Sequence, residues 1–498
     1  MTLRLKTFSA IRWTAAAALF KILIRILQVA VLARLLAKED FGLMAMALVI
    51  IDFASIFSDF GLNSSFMHRR DVTEDERSSL FWANICSSIF FCLLAILIGI
   101  FFANHVYGET RLIGIILFTA PLFIVNALGM QIKTNSEKEL NFKRVTYIDL
   151  ASGILGLVLS VAFARLNWGV YALVISSAIS ALICNFLYWL LLSNNWRPSL
   201  RLRTNEVRKF LGFGGAVVAN NIVNQFNLSL DIMLGGKLLG PSQLGLYSIP
   251  RNLVLQIQFT INPIITRVGF PLIAKIQDDL VKVKNTYLKT VATTSSITAP
   301  LYVGIAFFSR EITLVLLGPG WEQSVNLLRI IALWGGIRSL ANPVGSLLLG
   351  LGRADLQLKW NLSMLVINPP ILFSGFYFLP KFGWCDGATG IVYSMLFFVT
   401  AAYLPVWYFL IRPLCHAGLW EYIVATLKPF GVSIAAILPC YLVFNILGSS
   451  GYTLFFSCIG WAVLNYILIS LKFNREWVDS MVELLKGIAP NYFRKQRM

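Results

Sequence analysis

Apolar runs of about 20 residues recur along the chain, separated by short polar stretches. They lie near residues 9–34, 41–67, 80–103, 112–130, 145–164, 169–193, 210–235, 243–265, 287–308, 325–350, 360–380, 387–411, 421–447 and 452–471. Each is long enough, as a helix, to cross the roughly 30 Å hydrocarbon core of a bilayer. They are too long and too many to be core helices of one soluble domain. Fourteen spans of about 22 residues leave about 12 residues for each loop or end, too few for a folded extramembrane domain. The pattern therefore predicts an all-α polytopic membrane protein with about 14 transmembrane helices. The first run is interrupted by Lys21 and Arg25 and is too long for a signal-peptide core, so it is expected to stay in the protein. From Asn474 onward, Trp477, Met481, Leu484, Leu485 and Ile488 fall on one side ahead of Pro490, and Arg494, Lys495 and Arg497 follow. That predicts an interfacial helix with a basic tail on the inner leaflet.

Composition agrees: of 498 residues, 57% are hydrophobic and 13% charged, about half the charge of a soluble chain. The net charge of +18 reflects topology. With the N-terminus inside, most of the 42 lysines and arginines fall on the cytoplasmic side, whereas the opposite loops hold Arg34, Lys38, Arg111, Arg165, Lys237, Arg310 and Lys381. Both termini are thus expected in the cytoplasm and the span count even. Nucleic-acid binding is not needed to explain the charge.

Several chemistries are excluded. No phosphate-cradling Gly-x4-Gly-Lys-Ser/Thr run occurs, and the pairs Gly212/Gly214 and Gly350/Gly352 sit in apolar stretches where helix packing accounts for them. The seven cysteines form no Cys-x2-Cys pair, and only Cys385 is expected to face outside. His68, His105 and His416 are far apart at membrane edges, so no metal site and no cofactor are expected. The outside loops are short, which weighs against an enzyme.

The chain also repeats. Arg34-Leu-Leu-Ala-Lys-Glu-Asp-Phe-Gly-Leu43 matches Lys237-Leu-Leu-Gly-Pro-Ser-Gln-Leu-Gly-Leu246 at an offset of 203. Six spans precede the second copy, so both copies enter the membrane in the same direction, as parallel repeats. The expected organisation is an N-lobe of six helices (1–193), a C-lobe of six (207–412), two further helices (420–472), and the cytoplasmic tail (473–498).

Polar residues inside the spans fall on helical faces. Lys21, Arg25 and Gln28 share one face of span 1; Asn220, Asn224, Asn227 and Asp231 share one face of span 7. The offset puts Asn224 on Lys21 and Asp231 on Gln28. Asp52, Ser55 and Asp59 stripe span 2, and Arg251, Gln258 and Asn262 stripe span 8. Coincident stripes in both copies imply a water-filled cavity between the halves. The alternative is simple pairing across helices, for example Asp231 with Arg251. Counting Lys21, Arg25, Arg251, Arg329 and Arg338 against Asp52, Asp59 and Asp231 leaves an excess of positive charge, which suits an anionic ligand. Arg329 and Arg338 are nine residues apart and lie on opposite faces, so at most one of them faces the cavity. Asp59 and Asp231 are candidates for coupling a proton or Na⁺, or for standing as counter-ions to the arginines.

At these residues the chain resembles a known family. Leu32-Ala-Arg-Leu-Leu-Ala-Lys-Glu-Asp-Phe-Gly42, Asp59-Phe-Gly-Leu62, Thr73-Glu-Asp-Glu76, Phe81-Trp82, Ile249-Pro-Arg-Asn-Leu253 and Phe270-Pro-Leu-Ile-Ala-Lys-Ile-Gln-Asp-Asp279 resemble bacterial polysaccharide transporters of the oligosaccharidyl-lipid flippase type, nearest the colanic-acid exporter subgroup. The resemblance implies two six-helix lobes working by alternating access in the bacterial inner membrane, and an undecaprenyl-pyrophosphate-linked oligosaccharide as cargo. With that cargo, Arg25 and Arg251 are expected to bind the pyrophosphate with Lys21 assisting, and Asn220, Asn224, Gln225 and Gln28 to contact the sugars; the expected partners are membrane lipids, polysaccharide polymerases and chain-length proteins. Two alternatives stay open: a cation-coupled drug or metabolite antiporter of the same superfamily, and a membrane-embedded glycan polymerase or ligase. The last would draw on Arg310, Glu311 and Glu322, which read as helix caps.

Overall fold

The computed structural model describes residues 20–59, 66, 72–139, 141–193, 196–200, 203, 215–383, 385–448, 452–475 and 477–478. The predicted interfacial helix and basic tail beyond residue 478, and His68, lie outside them. The protein is an all-α, multi-pass membrane protein. Its helices run in the order α1 (20–32), α2 (Lys38–Asp59), α3 (Glu74–Phe101), α4 (Arg111–Thr119), α5 (Leu122–Lys138), α6 (Phe142–Arg165), α7 (Val170–Leu192), then α8 (215–239) and α9 (241–275), which Gly240 divides within Gly215–Lys275. There follow α10 (Leu280–Phe307), α11 (Ser309–Leu316), α12 (Gln323–Ser339), α13 (Asn342–Gly350), α14 (Ala354–Lys381), α15 (Gly387–Val406), α16 (Leu419–Ile446) and α17 (Tyr452–Phe473).

Among the described residues, nine helical stretches are long and apolar enough to cross a membrane. The other five predicted spans coincide with α1, α2, α8, α9 and the broken pair α12–α13, each interrupted or incompletely described. Local sequence sets the ends. Thr73 and Glu76 form a reciprocal capping box at the start of α3, each accepting the other's backbone N–H at 3.2 Å. Asp279 accepts the Lys282 N–H at 3.1 Å to start α10, and Asp386 accepts the Thr389 N–H at 3.0 Å to start α15. Pro121 cannot donate to the preceding turn and separates α4 from α5; the second copy breaks between α12 and α13, just before Pro343.

The repeat is visible at one joint. α1 ends in a turn that runs to Ala37, and 203 residues later Gly240 breaks the helix at φ 72°, ψ 173°, a backbone state for which glycine is suited. The two joints touch reciprocally. A Cβ on Gly42 would lie 1.8 Å from the Pro241 carbonyl oxygen, and one on Gly245 would lie 1.9 Å from the Lys38 carbonyl oxygen. Lys38 and Pro241 are mates at the offset, as are Gly42 and Gly245. The two contacts are therefore one contact made twice, the signature of a local two-fold axis. After α10 the offset drifts, because α11 and its following loop add residues to the second copy.

The chain packs as two compact units: Met1–Ile249 with Leu316–Gly318 and Asn361–Phe376, and Pro250–Val315 with Pro319–Trp360 and Tyr377–Met498. In the first, Phe81, Ile132, Val145, Ile148, Tyr188 and Trp196 form a core that ties α3, α5, α6 and α7. In the second, Ile273, Tyr287, Leu347, Ile411 and Tyr422 form one cluster, and Phe308, Cys440, Phe444 and Phe455 join α16 and α17 to the end of α10. Tyr466 donates to the Ser296 carbonyl at 2.6 Å, which fixes α17 on the same helix.

Candidate functional site

Within the first unit a cavity of about 800 Å³ opens among α1, α2, α3, α5, α6 and α7. Its lining is rich in amides and hydroxyls: Gln28, Ser55, Asn84, Ser88, Asn126, Ser152, Ser176, Ser177, Ser180 and Asn185. Its charged residues are Lys21, Lys133 and Asp149. These three belong together. Asp149, with only 11% of its side chain exposed, accepts from the Lys21 ammonium and from the Tyr188 hydroxyl, and Lys133 Nζ stands 3.6 Å from the same carboxylate. A buried carboxylate requires such donors to replace water. Gln28 donates to Ser160 Oγ at 3.4 Å, so span 1 turns its polar face onto α6.

The other predicted residues fall into separate groups. Arg25, one turn beyond Lys21, is exposed, stands outside this cavity lining, and has no ion-pair partner among the described residues. On α8, Asn220 accepts from Asn361 Nδ2 at 2.9 Å, Asn227 Nδ2 donates to the Asn361 carbonyl at 2.8 Å, and Gln225 donates to Ser229 at 3.0 Å. Asn224 is exposed on the same helix. Asp231, 4% exposed, accepts the Tyr247 hydroxyl. In the second unit Arg251 is buried at 7% exposure, and Gln258 donates to Asn342 Oδ1 at 2.8 Å. Asp59 ends α2, and its side chain lies outside the described residues.

Sequence reasoning passed over Asp149, Lys133, Tyr188 and Asn84. The signal for Asp149 was present: it lies in the fifth apolar run, and Asp149, Ser152, Gly156 and Ser160 recur at three- and four-residue spacing on one face of α6. Counting it with the other membrane carboxylates lowers the excess of positive charge by one and leaves it positive. Lys133 lies beyond the fourth apolar run, so the pattern along the chain alone places it in a cytoplasmic loop; the helix continues to Lys138 and carries Lys133 back against the cavity. Among the described residues, no group of three or more His, Cys, Asp or Glu is placed to hold a metal ion.

The fold and sequence have known counterparts. The lipopolysaccharide biosynthesis protein WzxC of Escherichia coli (strain K12) is 28% identical over 444 residues, 89% of this chain and 88% of that protein. The teichuronic acid biosynthesis protein TuaB of Bacillus subtilis (strain 168) is 27% identical over 367 residues, 74% of this chain and 76% of that protein. A solved structure of the lipid II flippase MurJ in an inward closed conformation superposes with a TM-score of 0.70 at 13% identity, covering 94% of this chain and all of that one; the likeness is one of fold. The family model for "Polysaccharide biosynthesis protein" matches residues 31–326, more than half of the chain. The chain belongs to that family.

Proposed function

We propose that the protein is a flippase that carries an undecaprenyl-pyrophosphate-linked oligosaccharide from the cytoplasmic to the outer leaflet of the bacterial inner membrane, by alternating access, for surface polysaccharide synthesis. The observation that carries this reading is the match along most of the length of relatives named for lipopolysaccharide and teichuronic acid biosynthesis, on a fold like that of a lipid II flippase. A polysaccharide whose repeat is built on a lipid inside the cell needs a step that turns the repeat outward, and a polytopic helical protein with amide-rich polar faces supplies a water-lined path for it.

In this reading Arg25 and Arg251 are assigned to the pyrophosphate, because a guanidinium donates two parallel hydrogen bonds to phosphate oxygens. Lys21 assists less directly, since Asp149 already holds it. Asn220, Asn224, Gln225 and Gln28 are assigned to sugar hydroxyls, and Asp59 and Asp231 to ion coupling. The six-plus-six-plus-two organisation, with both termini cytoplasmic, is supported by the recurring joint at Ala37 and Gly240 and by the sidedness of the basic residues. Polymerase and chain-length proteins are its expected neighbours, and the chain acts as a carrier with no cofactor.

The test is mass spectrometry of lipid-linked oligosaccharides in cells lacking the protein, with surface polysaccharide assayed in parallel. Completed, unpolymerised repeat units accumulating on the inner side, with polysaccharide lost, are expected. Unchanged lipid-linked pools would move the assignment to a cation-coupled antiporter.

A further inference from the structure

We propose that the cavity inside the first unit is a binding site for a sugar bearing a carboxylate, with Lys133 as the residue that receives the acid group. The proposal rests on the flippase reading for its biological ligand, though not for its geometry. Two ammonium groups share one carboxylate: Lys21 donates to Asp149 and Lys133 stands 3.6 Å from it. Among the described residues no other carboxylate lies within ion-pair range of either lysine. Among the described residues the three groups therefore carry one net positive charge, which favours an arriving anion.

A second, independent feature points the same way. Asn84 lines the cavity at 3% exposure, yet neither its Oδ1 nor its Nδ2 has a partner among the described residues. A buried amide with both a donor and an acceptor unmet is matched by a ligand hydroxyl, which accepts and donates at once. Elsewhere in the lining, Asn126 and the hydroxyls of Ser88, Ser152 and Ser177 offer further partners for sugar hydroxyls, beside apolar walls from Ile51, Leu122, Phe123 and Met130. A bare phosphate would leave these groups without a role. The volume of about 800 Å³ falls in the range of small-molecule sites, roughly 300–1,000 Å³, and takes a short oligosaccharide. Lys133 Nζ also stands 5.8 Å from the centroid of the Tyr188 ring. Asp149 then acts as a place-holder: it balances a lysine while the pocket is empty and competes with the incoming carboxylate.

The experiment is direct binding to the full-length protein in lipid nanodiscs by calorimetry, with three probes: a lipid-free uronate-containing disaccharide, its neutral counterpart and inorganic pyrophosphate. The uronate probe is expected to bind at least tenfold more tightly than either of the others. Lys133→Gln is expected to lose that tenfold preference. Asp149→Asn, which removes the competitor, is expected to bind the uronate probe several-fold more tightly and the neutral one unchanged; a purely structural Asp149 would weaken both. Equal affinity for acidic and neutral probes, or an acidic preference that survives Lys133→Gln, would overturn the proposal, and tighter pyrophosphate than uronate binding would reassign the pocket to phosphate. Uronate binding through Lys133 combined with unchanged lipid-linked pools in cells would keep the site and sink the flippase reading instead.

Discussion

Asp149 shows how much one residue inside a membrane helix depends on its surroundings. Its carboxylate is held by the Lys21 ammonium and the Tyr188 hydroxyl on two other helices, so its environment is a tertiary product. Tyr188→Phe removes one charge-assisted hydrogen bond and should cost about 1.5–3 kcal/mol, read as a lower Tm of the detergent-solubilised protein with unchanged helical content. Glu39, just ahead of the second span, is a different case. Its own backbone N–H and the Ser242 hydroxyl hold its carboxyl below the usual carboxylate range. A depressed folded pKa adds stability that is present above the unfolded value of 4.5 and is lost as pH falls through the folded value. Wild type should therefore melt above Glu39→Gln near neutral pH, and the two curves should converge once pH drops well below that value. A gap of constant size across the range would show that the carboxylate charge adds nothing.

Glu39 and Ser242 are themselves mates at the 203-residue offset, which brings the argument to the α1–α2 and α8–α9 joints. There the sequence match and the packing describe the same symmetry: Gly42 lies under the Pro241 carbonyl and Gly245 under the Lys38 carbonyl. Gly42→Ala would place a methyl 1.8 Å from a backbone oxygen, a contact that no rotamer relieves, so the joints must separate. Either alanine variant is expected to reduce export strongly while still inserting in the membrane, and the double variant should be little worse than the single ones, since both break the same crossing. Additive losses would show that the two contacts are independent. The helices themselves were legible because a bilayer leaves few alternatives: apolar runs of this length must be helical to satisfy their backbone groups. The joint was legible as well, through its repeated Leu-Leu and Gly-Leu. The cavity was not, because Lys133, Asp149 and Tyr188 are brought together by the packing of α5, α6 and α7, and no spacing along a single helix reveals which polar face meets which. The register of the second copy beyond α10 was hidden for a simpler reason, the extra residues of α11 and its loop.

At the scale of the whole molecule, the sidedness of the basic residues makes a prediction that the cysteines can test. Cys92, Cys415, Cys440 and Cys458 are buried, Cys86 is exposed on an apolar span where the bilayer surrounds it, and Cys184 lines the cavity of the first unit. Cys385 differs from all of these, because it stands in the loop between α14 and α15 that the charge bias places outside. In intact cells a membrane-impermeant maleimide should label Cys385, and Cys385→Ser should abolish the signal. Labelling of Cys385 only after permeabilisation would reverse the orientation, and with it the proposed direction of transport. The rate carries its own check. Burial, and then the neighbouring Asp386 carboxylate, push the Cys385 thiol above its ordinary value of 9.0, so little thiolate is present near neutrality. Labelling should be slow there and should rise about tenfold per pH unit, because the thiolate is the reacting species. Asp386→Asn should speed it, since the like charge that disfavours the thiolate is gone while the amide oxygen can still accept the Thr389 N–H that starts α15.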